Sequence, residues 1–297
     1  MTNLSWHEYP DLHRPVLLVA FAGLFDGGQS ATGAIHHLAE RWPVHPVADL
    51  DPEPFFDFTQ ERPVISFDDA GKRTLTWPQN NFVAVRPHGA GAGSRDLVLL
   101  AGIEPHLRWR SFAEAIADVA QRCQAELVIT LGAAPGRQPH DRPFQITAST
   151  SNPELARRLG VGGPSYQGPT GVIGVLNETL DQRNQAVIAL RTAVPPYVLG
   201  APNPKGRQAL LRRLGNLLAI DTGHELLAAE ADSWEAEVQQ AVDDDPEAQR
   251  FVEQLAADFD TTQPSVTEAD IDADELADQV ERFLREIGDA GDSDEPD

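Results

Sequence analysis

The chain has 297 residues, 41% of them apolar, with 46 acidic and 23 basic side chains and a formal net charge of −23. Such a polyanion repels phosphate backbones, which argues against a nucleic-acid partner, and no apolar run approaches the roughly 20 residues that a membrane-spanning helix needs. A single cysteine, Cys123, excludes an internal disulfide and suits a reducing compartment; with residues 1–11 polar and unlike a leader, the expected location is cytoplasmic.

The charge is unevenly placed. Residues 1–219 carry 20 basic and 20 acidic side chains, whereas residues 220–297 carry 3 and 26. Composition therefore divides the chain at about residue 220. An α/β core spans 1–220, acidic helices span 221–287, and an acidic tail expected to be disordered spans 288–297. The acidic helices either keep the protein soluble or face a basic partner surface.

Residues 15–30, PVLLVAFAGLFDGGQS, organise the core. The unbroken apolar run 16–22 predicts a strand buried on both faces, as in a parallel sheet. Its glycine corner resembles a ligand crevice at the carboxyl end of a strand. A helix over 29–41 and a strand over 44–50 follow, which implies a parallel crossover. Pro46 puts the second strand near a sheet edge. Residues 51–59, DPEPFFDFT, form either a loop tucked on the body or a partner-contacting surface. Residues 63–77 read as an inserted hairpin, a candidate oligomer contact because its edges need covering. Strands over 82–86 and 96–102 flank a glycine-rich linker at 89–93. A helix then starts at a capping box of Ser111 and Glu114 and buries Phe112, Ile116, Val119 and Cys123. A strand over 126–131, a short one over 144–148, an Asn152-capped helix, a loop over 161–170, a helix over 171–180, a strand over 186–193 and a helix over 203–220 complete the core. Acidic amphipathic helices follow near 223–242, 246–259 and 273–287, with a weak link at 261–265.

The expected chemistry is sparse. There is no phosphate loop, no GxGxxG fingerprint, no GxSxG elbow and no HxxxH or HExxH spacing. No catalytic set, no metal and no cofactor is therefore assigned. What remains is a group of strand ends. Phe25, Asp26, Gly27 and Gly28 follow the first strand, Gly102 and Glu104 a central one, and Thr130, Gly132 and Asn177 complete a polar pocket; these are the candidate ligand-binding residues. Asp26 and Glu104 suit acid–base or cation-holding roles. Equally, Asp26 caps a helix and Glu104 pairs with Arg108. Arg137, His140 and Arg142 form a basic loop near the same edge, either an anion site or a solvated loop.

PVLLVAFAGLFDGGQSATGAIHHL, LVLLAGIEPHLRW, LVITLGAAP and GPTGVIGVLN, in this order and spacing, resemble the proteasome-assembly-chaperone-2-like family in its actinobacterial branch. The resemblance covers roughly 15–287. It implies an α/β fold with a three-layer α/β/α core and a mixed, mainly parallel sheet, similar to purine nucleoside phosphorylases. It also implies an inserted hairpin used in oligomerisation, often as a homotrimer, and a C-terminal helical lid over the pocket. Residues 63–77 and 221–287 provide places for the last two. Eukaryotic and archaeal relatives bind proteasome α subunits, some through a hydrophobic–Tyr–any-residue tail; this sequence ends Asp-Glu-Pro-Asp, so that route is not expected here. Two functions follow as expectations. One is a non-enzymatic interaction or assembly factor with a strand-end ligand cleft, acting with copies of itself and a protein partner. The other is a phosphorylase- or hydrolase-like enzyme that binds a nucleoside or a similar small molecule.

Overall fold

Four continuous apolar runs become the centre of one sheet. They are β7 (Leu97–Ile103), β2 (Val16–Ala22), β8 (Leu127–Pro135) and β10 (Val187–Val194), side by side in that order and parallel. Because successive side chains point to opposite faces, each strand feeds two cores. Val16, Leu18 and Ala20 of β2 enter one, and Leu17, Val19 and Phe21 the other. The computed structural model describes residues 3–87, 95–262 and 273–292. The glycine linker expected at 89–93 lies outside the described residues, as do 293–297 of the expected tail and most of the expected weak link at 261–265.

The sheet is not mainly parallel. Beyond β7 it continues through β6 (Asn80–Val85), β3 (His45–Leu50) and β1 (Leu4–Trp6), and beyond β10 it ends in β9 (Ile146–Ser149). All four of these added pairings are antiparallel, against three parallel ones at the centre. The expected parallel bias came from the long apolar runs, which do form a parallel block. The flanking strands need less burial, and antiparallel pairing tolerates that. The crossover after β2 also differs from expectation. Helix α1 (Ser30–Arg41) leads to β3, but β7 and β6 lie between β3 and β2. Pro46 is accommodated where the β3–β6 register shifts between Pro46 and Ala48. β1 falls in a stretch read from sequence only as polar.

Helices cover both faces. α1 and α5 (Pro204–Leu218) pack on one, joined by α8 (Ala273–Asp292), whose Leu276, Val280, Phe283 and Leu284 enter the same core as Ile35 and Leu214. α3 (Pro153–Leu159), capped by Asn152 Oδ1 on the Glu154 and Leu155 N–H groups at 3.0 and 2.9 Å, also touches α8. α8 reaches Asp292, into the stretch expected as tail. α2 (Trp109–Arg122) and α4 (Val172–Gln182) cover the opposite face. The expected capping box at Ser111 is absent. α2 starts at Trp109 after Arg108, and Glu114 pairs with Arg183 instead. Loop 51–59 is tucked in: Phe55 and Phe56 are buried, and Phe55 meets Phe112 edge-on at 5.3 Å.

The acidic C-terminal segment docks through arginines and Lys205 of the neutral body. Arg95, 3% exposed, donates to Glu126 at 2.5 Å and to Glu281 of α8 at 2.6 Å, and Arg14 bonds the same two carboxylates. α6 (Ala228–Asp243) is held by Lys205 on Glu235 and by His140, whose Nε2 lies 3.0 Å from Gln239 Oε1. α7 (Pro246–Thr262) is held by Arg142, which forks onto Asp260 at 3.1 and 2.9 Å. The basic loop at 137–142 is thus a docking point for the acidic helices.

Candidate functional site

The three glycine-bearing strand ends do come together. Ala22 and Ile103 are register partners in β2 and β7, and Phe25 accepts a backbone hydrogen bond from Ala133 of β8 at 2.7 Å. Asp26 forms an isolated bridge with the same Ala133.

Asp26 is committed to α1. Its Oδ1 accepts the N–H groups of Ala31 at 2.8 Å and Thr32 at 3.1 Å, and its Oδ2 accepts the Thr32 hydroxyl. It satisfies donors that the first turn of a helix leaves free, across the short turn Gly27–Gln29. Burial pushes the Asp26 carboxyl up from its ordinary range, and the Thr32 and Ala31 hydrogen bonds counter that. Asp26→Ala is expected to lower stability by about 1–2 kcal/mol, read as a lower urea midpoint, whereas Asp26→Asn, which keeps one acceptor, loses less.

Glu104 performs the same service for α4. Gly171 at that helix start has no side chain to cap with, and Glu104 Oε1 accepts the Val172 N–H at 3.2 Å while Oε2 accepts the Leu24 N–H at 3.4 Å. The expected pairing with Arg108 is not formed: Arg108 has no salt bridge among the described residues, and Glu104 serves backbone donors instead. A Cβ at Gly171 would lie 3.0 Å from the Phe25 ring, so Phe25 closes against this helix start.

Gly27 and Gly28 hold a loop. Gly28 donates to the Leu199 carbonyl at 3.0 Å and accepts from the Asn203 N–H at 2.7 Å. Gly102 faces Asn80, whose Oδ1 accepts the neighbouring Ile103 N–H at 3.0 Å, and it opens on a cavity of about 470 Å³ between α1 and the hairpin. Thr130 is fully buried and its hydroxyl donates to Asn177 Oδ1 at 3.1 Å. Asn177 opens on a different cavity, of about 790 Å³, beside α4. The nine residues therefore do not enclose one hollow. Gly102 and Asn177 open on separate cavities, while Phe25 to Gly28 and Glu104 tie the strand ends to helix starts and loops. α7 approaches the same end of the sheet, where Phe251, Leu255 and Asp258 line a cavity with Pro135 and Arg137.

Sequence reasoning missed Arg191. It lies on β10 in register with Gly132, and a Cβ on Gly132 would sit 3.2 Å from Arg191 Nη1. Gly132 thus leaves room for a guanidinium. The available signal was one arginine inside the otherwise apolar run VIALRTAV.

The chain is thus a three-layer α/β/α protein with a projecting hairpin and strand ends tied to helix starts. The model described as the PAC2 family matches residues 20–242, and the chain belongs to that family. It is similar to a PAC2 family protein of Streptomyces avermitilis, at 39% identity and TM-score 0.74, over 80% of this chain and 99% of that one. It is similar also to a Mycobacterium tuberculosis proteasome-assembly chaperone homologue, at 34% identity and TM-score 0.71, over 80% and 99%. The Pyrococcus furiosus proteasome activator PbaB shares the fold at 16% identity and TM-score 0.62, over 81% and 99%. Among curated proteins none matches. The family is the one its strand-end motifs resemble.

Proposed function

We propose that this chain is a non-enzymatic protein-interaction or assembly factor of the cytoplasm, working as a homo-oligomer, a trimer, joined through its hairpin. The observation that carries this reading is the hairpin itself. β4 (Val64–Phe67) and β5 (Arg73–Thr76) pair only with each other, among the described residues, and every residue of both strands is exposed. Phe67 is 69% exposed, and Val64, Ile65 and Leu75 are exposed too. Isolated two-stranded hairpins are marginal in water, and apolar side chains on an unpaired edge invite another chain. At its base Trp77 packs on Phe58 with ring centroids 4.8 Å apart, which fixes the direction in which the hairpin leaves the body. A second copy is the partner that a ring requires, each hairpin seating on the next subunit. The relative described as a proteasome-assembly chaperone homologue supports a role in assembly. The commitment of Asp26 and Glu104 to helix caps supports the non-enzymatic reading. The acidic helices α6 and α7 offer a surface for a basic protein partner, and α7, near the strand ends, is the part of the 221–287 segment placed to act as a lid.

Light scattering on the eluted protein tests the assembly. The wild-type chain is expected at three times its 32.3 kDa mass, and Phe67→Glu combined with Leu75→Lys at one. A wild-type protein of single-chain mass at micromolar concentration contradicts the reading.

A further inference from the structure

Beyond the assembly surface, and independently of it, the cavity beside α4 has the chemistry of a binding site. Its floor is one face of β10, where Val187, Ala189 and Arg191 alternate with the core residues Ile188 and Leu190. Asn177, Thr150, Thr170 and Tyr166 stand around it, and the volume of about 790 Å³ suits a small molecule. Arg191 stands on that floor, Arg110 of α2 lines the same cavity, and Arg191 also borders the cavity of about 370 Å³ under α7.

The guanidinium of Arg191 is half-buried, and among the described residues it has no carboxylate partner and no hydrogen-bond acceptor. Burial alone acts on it, lowering its pKa from the ordinary arginine value. A partly desolvated charge with no protein partner favours an anionic ligand in the cavity it faces; Arg95 in this same chain, more deeply buried, is paired within the protein. The cavity does hold carboxylates, but each is engaged at its rim. Glu114 pairs with Arg183, Asp181 accepts from Ser151 at 2.6 Å, and Glu178 accepts from Gln182 at 2.8 Å. These negative groups disfavour a polyanion. They leave the floor cation to a ligand with a single anionic head.

The geometry points to Arg191 as the anchor of a small-molecule site that takes the oxyanion head, carboxylate or phosphate, of a metabolite whose remainder is uncharged and hydroxyl-bearing. The planar fork of the guanidinium matches either head in two parallel hydrogen bonds. The hydroxyls of Thr150, Thr170 and Tyr166 and the amide of Asn177 suit the remainder.

Thermal unfolding of the full chain tests this with gluconate, glucose 6-phosphate, inorganic phosphate and glucose as probes. Gluconate or glucose 6-phosphate is expected to raise the wild-type Tm by about 2–4 °C at about ten times its Kd, and glucose to leave it unchanged. The larger of the two acid responses identifies the head as carboxylate or phosphate. Arg191→Gln is expected to abolish the rise and Arg191→Lys to reduce it. Without ligand, Arg191→Gln is expected to melt no lower than wild type, because it removes an unpaired charge. The proposal is overturned if no oxyanion probe shifts the wild-type Tm, if glucose shifts it equally, or if Arg191→Gln responds as wild type does. The wild-type arm decides even if the variant folds poorly.

Discussion

Glu281→Ala is expected to lower the unfolding free energy by about 3 kcal/mol. The carboxylate belongs to α8 but is held by residues far away in sequence, Arg14 before β2 and Arg95 before β7. Arg95 is buried, and without Glu281 it and Arg14 are left to share Glu126. Removing one member of a buried ion pair leaves an uncompensated charge, and that residue charge, more than the lost attraction, sets the size of the effect. Urea unfolding measures it. The comparison is Glu286→Ala: Glu286 also pairs with an arginine, Arg158, but is itself largely exposed. Exposed pairs contribute less than about 1 kcal/mol.

The same group gives a pH dependence. Burial by itself would raise the Glu281 pKa; the hydrogen bonds and charges of Arg14 and Arg95 outweigh it and hold the carboxyl at about 2. Its folded value is thus below its unfolded value. The stability it contributes is fully present above the ordinary glutamate range and is lost as pH falls from about 4.5 towards 2. Acid titration of the urea midpoint is expected to show a steeper fall in that window for wild type than for Glu281→Ala.

Gly28→Ala is expected to have an effect of similar size and a different cause, about 3 kcal/mol in all. Gly28 has φ +61°, a left-handed backbone that costs a residue with a Cβ roughly 1 kcal/mol. The new Cβ would also lie 2.5 Å from Asn203 Cβ and 2.9 Å from the Ala201 carbonyl. Asn203 cannot give way easily. It is fully buried, its N–H bonds Gly28, and its Oδ1 caps α5 at the Gly206 N–H, 2.8 Å away. Overpacking at such a position adds about 1–3 kcal/mol. Gly160 separates the two terms. It has φ +63° with nothing within 4 Å of an added Cβ, so Gly160→Ala is expected to show only the conformational part. The difference in Tm between the two variants measures the contact.

Much of this architecture is legible in the residues, and the exceptions have physical causes. The predominantly apolar runs at 16–22, 96–102 and 186–193 identify the buried strands because burial on both faces leaves few polar positions. They do not identify their neighbours. β1 is three residues of mixed polarity, and nothing local distinguishes it from a loop until β3 pairs with it. β3, β6 and β9 are legible as strands, but nothing local sets their direction, so the antiparallel flank is not readable from the sequence. At the strand ends, the pairing of Asp26 with the start of α1 is a near-neighbour effect, visible as an acid before a helix. The bond from Glu104 to Val172 joins residues distant in sequence, so local spacing suggested Arg108 instead. Ser111 and Glu114 have the capping-box spacing, yet Arg183 from the adjacent α4 end claims Glu114. In each case a tertiary partner overrode a sound local pattern.

Hydrogen–deuterium exchange across a dilution series tests the hairpin as the assembly surface most directly. The amides of residues 64–67 and 73–76 are predicted to exchange slowly in concentrated wild-type protein and to speed up on dilution, while those of β2 stay protected throughout. Equal exchange of the hairpin amides at every concentration would contradict the account.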